Sequence, residues 1–244
     1  MELKHSSIHK DSSFPPDDCS AEGQNWNMPI YDWNNQSKKP QVFNWWIKRL
    51  KKALHIIDIV RIDHFRGLES YWSIPVDENF LPMKPIDGEW VKAPGVEFFH
   101  ALVSALERDL PLIVEDLGSL TTETFDLRDQ FNLTGIRIVQ FGFGFYPDNM
   151  YRPHNFIQNC VAYTATHYNP TAIGLWTKHA EDYEKKTFVN NVRLVEQLDE
   201  YCNEDDRDNV ANIAIIQLQD LLGLDDTGRM NDPSLSSDAG SDSR

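Results

Sequence analysis

Two short apolar runs, each ending in a carboxylate, constrain this chain more than any other feature. Val60 to Gly67 reads Val-Arg-Ile-Asp-His-Phe-Arg-Gly, and Leu112 to Gly118 reads Leu-Ile-Val-Glu-Asp-Leu-Gly. Runs of this length, rich in Val and Ile, are typical of buried parallel strands. Active sites of barrels lie at the carboxyl ends of such strands, so Asp63 and Glu115 are predicted to face one cleft. Two facing carboxyl groups are what the cleavage of a glycosidic bond requires.

The rest of the chain alternates between strand-like and helix-like segments, which predicts an α/β fold with a parallel sheet. The predicted strands are Ile59 to Phe65, Leu112 to Glu115, Gly135 to Phe143, Val161 to Thr166 and Ile213 to Leu218. The predicted helices are Gln41 to Ile57, Pro94 to Arg108, Thr122 to Phe131 and Asn190 to Asn203. Because Pro and Gly interrupt them, residues 1–37 are predicted to be loop-rich and Pro75 to Ala93 irregular. The Ser- and Asp-rich residues 234–244 are predicted to form a disordered tail.

Alternation along a strand places Arg61 and Asp63 on the same face. The guanidinium would then lie beside the carboxylate and keep it ionised, as a nucleophile requires. A purely structural alternative is an Arg–Asp pair that only stabilises a barrel. On the second strand Glu115 comes last, where an apolar environment raises the pKa of a carboxyl group and lets it donate a proton. The alternative for this strand end is a loop or capping carboxylate, a role that suits Asp116 better than Glu115.

Charge and cysteine content narrow the class of protein. Lys+Arg 23 against Asp+Glu 38 gives a net charge of -15, which argues against a nucleic-acid partner, whose phosphates would be repelled. The three cysteines are far apart, so neither a metal site nor a disulfide framework is predicted. No signal peptide or membrane span is predicted, which indicates a cytoplasmic protein without a membrane partner, with a plastid form as the alternative.

Aromatic residues in polar surroundings are candidates for stacking on sugar rings. Trp26, Tyr31 and Trp33 lie among Asn, Pro and Asp without a helical pattern. Farther along the chain, His167 follows a predicted strand and could hydrogen-bond a sugar hydroxyl, although a lone histidine is more often structural.

Several ordered motifs give the chain a close resemblance to the 4-α-glucanotransferases of the amylomaltase family, glycoside hydrolase family 77. They occur in the family's order over roughly residues 14–233, and so many ordered matches are highly specific. The matching segments are residues 23–33, 60–67, 89–95, 114–118, 135–137, 153–155, 163–167, 219–223 and 229–231.

The resemblance implies a (β/α)8 barrel and retaining transfer of α-1,4-glucan segments between maltooligosaccharides, without a metal or organic cofactor. It implies that Asp63 is the nucleophile, Glu115 the acid/base, and Arg61 the group that positions Asp63. The remaining implied roles are contacts to the glucan. They fall on His64, His167, Trp26, Tyr31, Asp32, Trp33 and Asn231.

Two departures from the family pattern bear on activity. The family's third carboxylate follows the His of its Thr-His motif, and Tyr168 occupies that position here. The resemblance also aligns Asp63 with the fourth barrel strand, so residues 1–233 are expected to form an incomplete barrel of about strands four to eight. We therefore expect a truncated or split form with impaired activity, and a complementary N-terminal polypeptide is a candidate partner.

Two other readings stay open at this point. The first is a catalytically silent glucan-binding protein, which Tyr168 favours. The second is a hydrolase of the α-amylase class, which shares the Arg-x-Asp pattern. The segments Gly23 to Trp26 and Trp90 to Lys92 count against the hydrolase because they match the transferase pattern.

Overall fold

The chain divides into two compact units, Met1–Leu133 and Thr134–Arg244. The computed structural model describes residues 10–16, 21–79, 81–107, 109–143, 148–187, 189 and 211–229. Within these residues no helix is both long enough and apolar enough to cross a membrane. The predicted helix over 190–203 and the predicted tail over 234–244 lie outside the described residues.

A four-stranded antiparallel sheet in the first unit was not expected from the sequence. Its order is β2-β1-β4-β5, and β1 is a central strand. The strands are β1 Lys10–Phe14, β2 Gln24–Pro29, β4 Ser70–Pro75 and β5 Glu89–Lys92. The predictions of a loop-rich start and an irregular segment after residue 75 are therefore wrong in these places. Strands β1 and β2 are mostly polar, so their conformation follows from pairing rather than from an alternating apolar pattern.

Two parallel strands form the part of the first unit that carries the predicted site. They are β3 Val60–Ile62 and β6 Leu112–Val114, in a register that places Ile62 opposite Val114. Helices α1 Lys39–Leu54, α2 Gly95–Leu106 and α3 Thr122–Gln130 follow the predicted helices closely. The core between them buries the side chains of Phe98, Phe99 and Leu102 completely or almost completely.

The second unit is built on a parallel sheet of three strands in the order β7-β8-β9. These strands are β7 Gly135–Ile138, β8 Cys160–Tyr163 and β9 Ile213–Ile215. The helices are short: α4 Ala172–Gly174 runs into a π-helical turn at Leu175–His179, α5 covers residues 182–187, and α6 is Leu218–Leu221.

All five predicted parallel strands are present in the predicted order, so the α/β prediction is confirmed. Each strand ends earlier than predicted. After β3 the backbone turns at His64, which has a φ of 47°, and after β7 it enters a 3-10 helix at Val139–Phe143. Apolar residues continue past both strand ends, at Phe65 after β3 and at Val139–Phe143 after β7, so the apolar pattern cannot locate the strand end.

Candidate active site

Arg61 and Asp63 form an ion pair at the carboxyl end of β3. The Nη1 of Arg61 lies 2.6 Å from Oδ1 of Asp63, and the two side chains are 37% and 72% exposed. Ile62 between them is buried, which confirms that Arg61 and Asp63 share the face opposite to it. An exposed pair of this kind contributes at most about 1 kcal/mol to stability. Its geometry therefore matters for the orientation of the carboxylate rather than for the fold.

Glu115 is the first residue after β6, and its backbone is bonded to the segment that carries Asp63. Its N–H donates to the carbonyl oxygen of Ile62 at 2.9 Å, and its carbonyl oxygen accepts from the N–H of Phe65 at 3.3 Å. Its side-chain Oε1 accepts from the N–H of Leu117 at 3.1 Å. Parallel pairing of β3 and β6 thus holds the two predicted catalytic carboxyl groups on adjacent strand ends.

The environment of Glu115 favours its protonated form. Burial raises the pKa of its carboxyl group above the usual range, and the negative charge of Asp63 raises it further. Hydrogen bonds from the N–H groups of Leu117 and His64 and the charge of Arg61 oppose this rise without cancelling it. The direction of this rise agrees with the prediction from the sequence, and a raised pKa is what a proton-donating carboxyl group requires.

His64 lies between the two carboxyl groups in sequence and is held neutral. Burial lowers the pKa of its imidazole to about 4, with the charge of Arg66 acting in the same direction and that of Asp63 against it. Its ring meets that of Trp26 edge to face, with 4.7 Å between centroids. A neutral imidazole offers one donor and one acceptor, which suits contact with a sugar hydroxyl.

Two of the predicted aromatic contacts need correction. Trp26 lies on β2 rather than in a loop, because that strand pairs with β1. Trp33 is only 5% exposed and its ring packs at 6.4 Å from that of Phe98 in the core. Trp33 therefore offers no face for stacking on a sugar, since its aromatic surface is already covered by the fold.

Tyr31 and Asp32 are more exposed. The ring of Tyr31 lies 5.8 Å from that of Trp45 and 5.6 Å from that of Trp46. The carboxylate of Asp32 accepts from Nζ of Lys38 at 2.6 Å. Both residues therefore present polar atoms or ring surface to solvent.

His167 and Tyr168 belong to the second unit, in a turn that follows β8. Oγ1 of Thr166 donates to Oδ1 of Asn169 at 2.7 Å and so closes the turn from inside. The rings of His167 and Tyr168 lie 3.9 Å apart, and Tyr168 is 64% exposed. The carbonyl oxygen of Tyr168 accepts from Nη2 of Arg229 at 3.2 Å. Asn231, also predicted to contact substrate, lies outside the described residues.

The structure adds residues next to Glu115 that sequence reasoning missed. A loop or capping role suited Asp116 better than Glu115 on sequence grounds, and the structure adds a buried ion pair between its carboxylate and Nη1 of Arg128 at 2.6 Å. Arg66 is also buried, and it donates to the carbonyl oxygen of Ser119. These contacts join residues far apart in sequence, so no local pattern could have found them. Among the described residues, no three His, Cys, Asp or Glu side chains form a group that could hold a metal ion.

Comparison with known proteins assigns this chain to a family. The chain is 44% identical over 228 residues to the 4-alpha-glucanotransferase of Synechocystis, covering 90% of this chain and 43% of that protein. It is 40% identical over 229 residues to the enzyme of Clostridium butyricum, covering 92% of this chain and 45% of that protein. The chain thus spans less than half the length of these relatives.

Solved structures give the same result. The structure superposes on that of the amylomaltase from Streptococcus agalactiae in complex with acarbose, with a TM-score of 0.77 and 30% identity, over 94% of this chain and 47% of that one. The family model described as 4-alpha-glucanotransferase matches residues 2–240. This chain belongs to the 4-alpha-glucanotransferase family.

Proposed function

We propose that this protein transfers α-1,4-glucan segments between maltooligosaccharides with retention of configuration. The observation that carries the proposal is the ion-paired carboxylate of Asp63 next to Glu115, whose pKa is raised by burial and by Asp63. A retaining mechanism needs one carboxyl group that attacks and a second that donates a proton, and a raised pKa suits Glu115 to the second role. The family of the chain agrees with this chemistry.

The reaction would proceed by two displacements. In the first, a carboxylate oxygen of Asp63 bonds to the anomeric carbon while the glycosidic C–O bond breaks, and Glu115 gives its proton to the leaving oxygen. In the second, Glu115 takes the proton of an incoming 4-hydroxyl group, whose oxygen bonds to the anomeric carbon as the bond to Asp63 breaks. Arg61 would hold Asp63 in the orientation required for attack.

Sugar contacts are proposed for both units. In the first unit His64 follows Asp63 and meets the ring of Trp26, and Tyr31 and Asp32 offer exposed groups. In the second unit the exposed ring of His167 is proposed to contact the glucan, as is Asn231. The acarbose complex of the Streptococcus agalactiae amylomaltase supports an oligosaccharide ligand.

The five parallel strands are proposed to correspond to about strands four to eight of a (β/α)8 barrel, with residues 1–233 as its partial catalytic domain. Apolar side chains before β3 and on β9 are exposed, among them Ile57, Ile59, Ile213 and Ile215. Exposed apolar groups at strands favour association with further strands. A complementary polypeptide that supplies those strands is therefore proposed as a partner.

A second candidate function is glucan binding without turnover. Tyr168 stands where the family pattern has a carboxylate, so the two acceptor oxygens of that group are missing at this position. Loss of one preorganised contact to the transition state costs about 3 kcal/mol, or roughly a hundredfold in rate. We therefore propose that transfer by this chain is slow and that its contacts to the sugar are retained.

The test is the release of glucose from maltotriose by the purified protein, alongside calorimetric titration with maltotriose. Transfer predicts slow release that Glu115→Gln abolishes and that the exposed control Glu123→Gln on α3 leaves unchanged. Binding without any release would favour the second candidate. Neither binding nor release would overturn both.

A further inference from the structure

The segment that follows Glu115 is anchored to the fold at two points. The first anchor is Asp116, whose carboxylate meets Nη1 of Arg128 on α3 at 2.6 Å, with side chains 1% and 6% exposed. Arg128 also binds Oδ1 of Asp129 through Nη2 at 2.7 Å. One planar guanidinium therefore holds two carboxylates at once, a geometry that a lysine cannot reproduce.

The second anchor is Arg66. Its Nη1 donates to the carbonyl oxygen of Ser119, and its guanidinium lies 4.0 Å above the ring of Trp90. Its side chain is buried. Since Arg66 is three residues after Asp63, this contact joins the chain that carries the proposed nucleophile to the loop that carries the proposed acid/base.

Between the two anchors the loop has little support of its own. Gly118 has a φ of 81°, and a Cβ placed there would meet no atom within 4 Å. The N–H of Leu117 donates back to the carboxyl group of Glu115. The position of that carboxyl group thus depends on a short loop whose course is determined by the anchors at either end.

Stability alone does not explain two buried arginines here. A buried ion pair is weak evidence for stability, because well-packed apolar side chains of similar volume serve as well or better. The arginines fix the positions of their partners, because the N–H donors of a planar guanidinium accept only a narrow range of partner positions. This restriction matters most for Glu115, which directly precedes Asp116.

We propose that Arg128, through Asp116, and Arg66, through Ser119, are positioning residues that keep the Glu115 carboxyl group in its partly buried place at the strand end adjacent to that of Asp63. The proposal rests on the proposed role of Glu115. If either anchor loosens, the carboxyl group gains access to water and moves away from the charge of Asp63. Both changes make its ionised form easier to reach.

The test is a pH titration of the Glu115 carboxyl carbon by NMR in the full-length protein labelled with ¹³C-glutamate, the signal being assigned by its loss in Glu115→Gln. Arg66→Lys and Arg128→Lys keep the charge and remove the planar fork, so any shift reports geometry rather than net charge. We expect both to lower the titration midpoint of Glu115 toward that of an ordinary glutamate. The matched control is Arg49→Lys, because Arg49 also lies over aromatic rings, 5.3 Å from those of Trp45 and Trp46.

The outcomes separate clearly. Wild-type midpoints in both folded variants would overturn the proposal, and so would an equal drop in the Arg49→Lys control. If circular dichroism shows that Arg128→Lys does not fold, the titration of Arg66→Lys decides the outcome. Arg66 contacts a backbone carbonyl oxygen at the end of the loop, whereas Arg128 pairs with a buried carboxylate. The titration needs no turnover, so a failure of the proposed transferase function is seen separately, in the glucose assay.

Discussion

The two places where predicted site residues gather differ in how far burial acts on their side chains. In the first unit, Asp63 and Glu115 follow adjacent parallel strands, and the chain next to them carries the buried Arg66 and the buried Asp116–Arg128 pair. In the second unit, the turn over residues 164–170 is hydrogen-bonded within itself and to Gln140, Gln217, Asp220 and Arg229, but the side chain of Tyr168 is exposed to solvent.

This difference shows where sequence change is tolerated. In the first place the pKa values of Glu115 and His64 are both displaced by burial, and the adjacent Asp116 and Arg66 are buried. In the turn, the side chain at position 168 supports little of the fold. A tyrosine can therefore replace a carboxylate there at small cost to stability, although the cost to chemistry is large.

The largest effect is expected from the nucleophile. Asp63→Asn keeps the size of the side chain and removes the charge, so glucose release from maltotriose should fall on the order of 10⁴-fold or more. Asp126→Asn, at an exposed position on α3, is the matched control and should keep the wild-type rate. Equal loss in both variants, or an unchanged rate in Asp63→Asn, would remove the catalytic distinction between the two places.

The next effect concerns stability. Arg128→Met leaves the carboxylate of Asp116 buried without its partner, so the free energy of unfolding should fall by roughly 3–5 kcal/mol. Lys38→Met breaks the exposed pair with Asp32, whose side chains are 43% and 46% exposed, and should cost less than about 1 kcal/mol. Urea denaturation of both variants measures the difference. Similar losses would mean that burial does not distinguish the two pairs.

Restoring the carboxylate tests the exposed turn. Tyr168→Asp should raise the rate of glucose release about a hundredfold, because it returns one charged contact to the transition state. Tyr183→Asp, at another exposed tyrosine of the second unit, should leave the rate unchanged. A midpoint of thermal unfolding close to that of the wild type would confirm that position 168 carries little of the fold. If the rate does not rise, glucan binding without turnover becomes the better description.

A feature of this protein can be predicted from the sequence when the residues that determine it lie close together in the chain. Helix α1 was predicted as Gln41 to Ile57 and is Lys39–Leu54, because its apolar side chains recur at helical spacing. Strands β1 and β2 were missed since their residues are mostly polar and become strands by pairing with each other and with β4.

The same division holds in the site. The contact between Arg61 and Asp63 follows from the alternation of a strand and was predicted. The contact between Arg66 and Ser119 spans 53 positions, and that between Arg128 and Asp116 spans 12. No periodicity connects such pairs, so only the folded chain reveals them. The φ of 47° at His64 is likewise not marked by any apolar period, although histidine is among the residues that adopt a positive φ more often than most.

The smallest effect is a pH dependence that should belong to His64. Burial lowers the pKa of its imidazole to about 4 in the folded protein, against about 6.5 in an unfolded chain. Since the folded pKa is the lower one, the unfolded state binds more protons below pH 6.5. The contribution of His64 to stability is therefore complete above that pH and is lost as the pH falls toward 4. By pH 5 the loss should be about 2 kcal/mol.

His64→Asn tests this, because asparagine does not titrate and tolerates a positive φ. Urea denaturation at pH 7.5 and pH 5 should show a smaller loss of stability for this variant than for the wild type. His167→Asn removes a histidine from the exposed turn and is the matched control. If His64→Asn loses as much stability on acidification as the wild type, the acid sensitivity belongs to other groups. The chain next to Asp63 would then contribute no more to the loss of stability at low pH than the turn after β8.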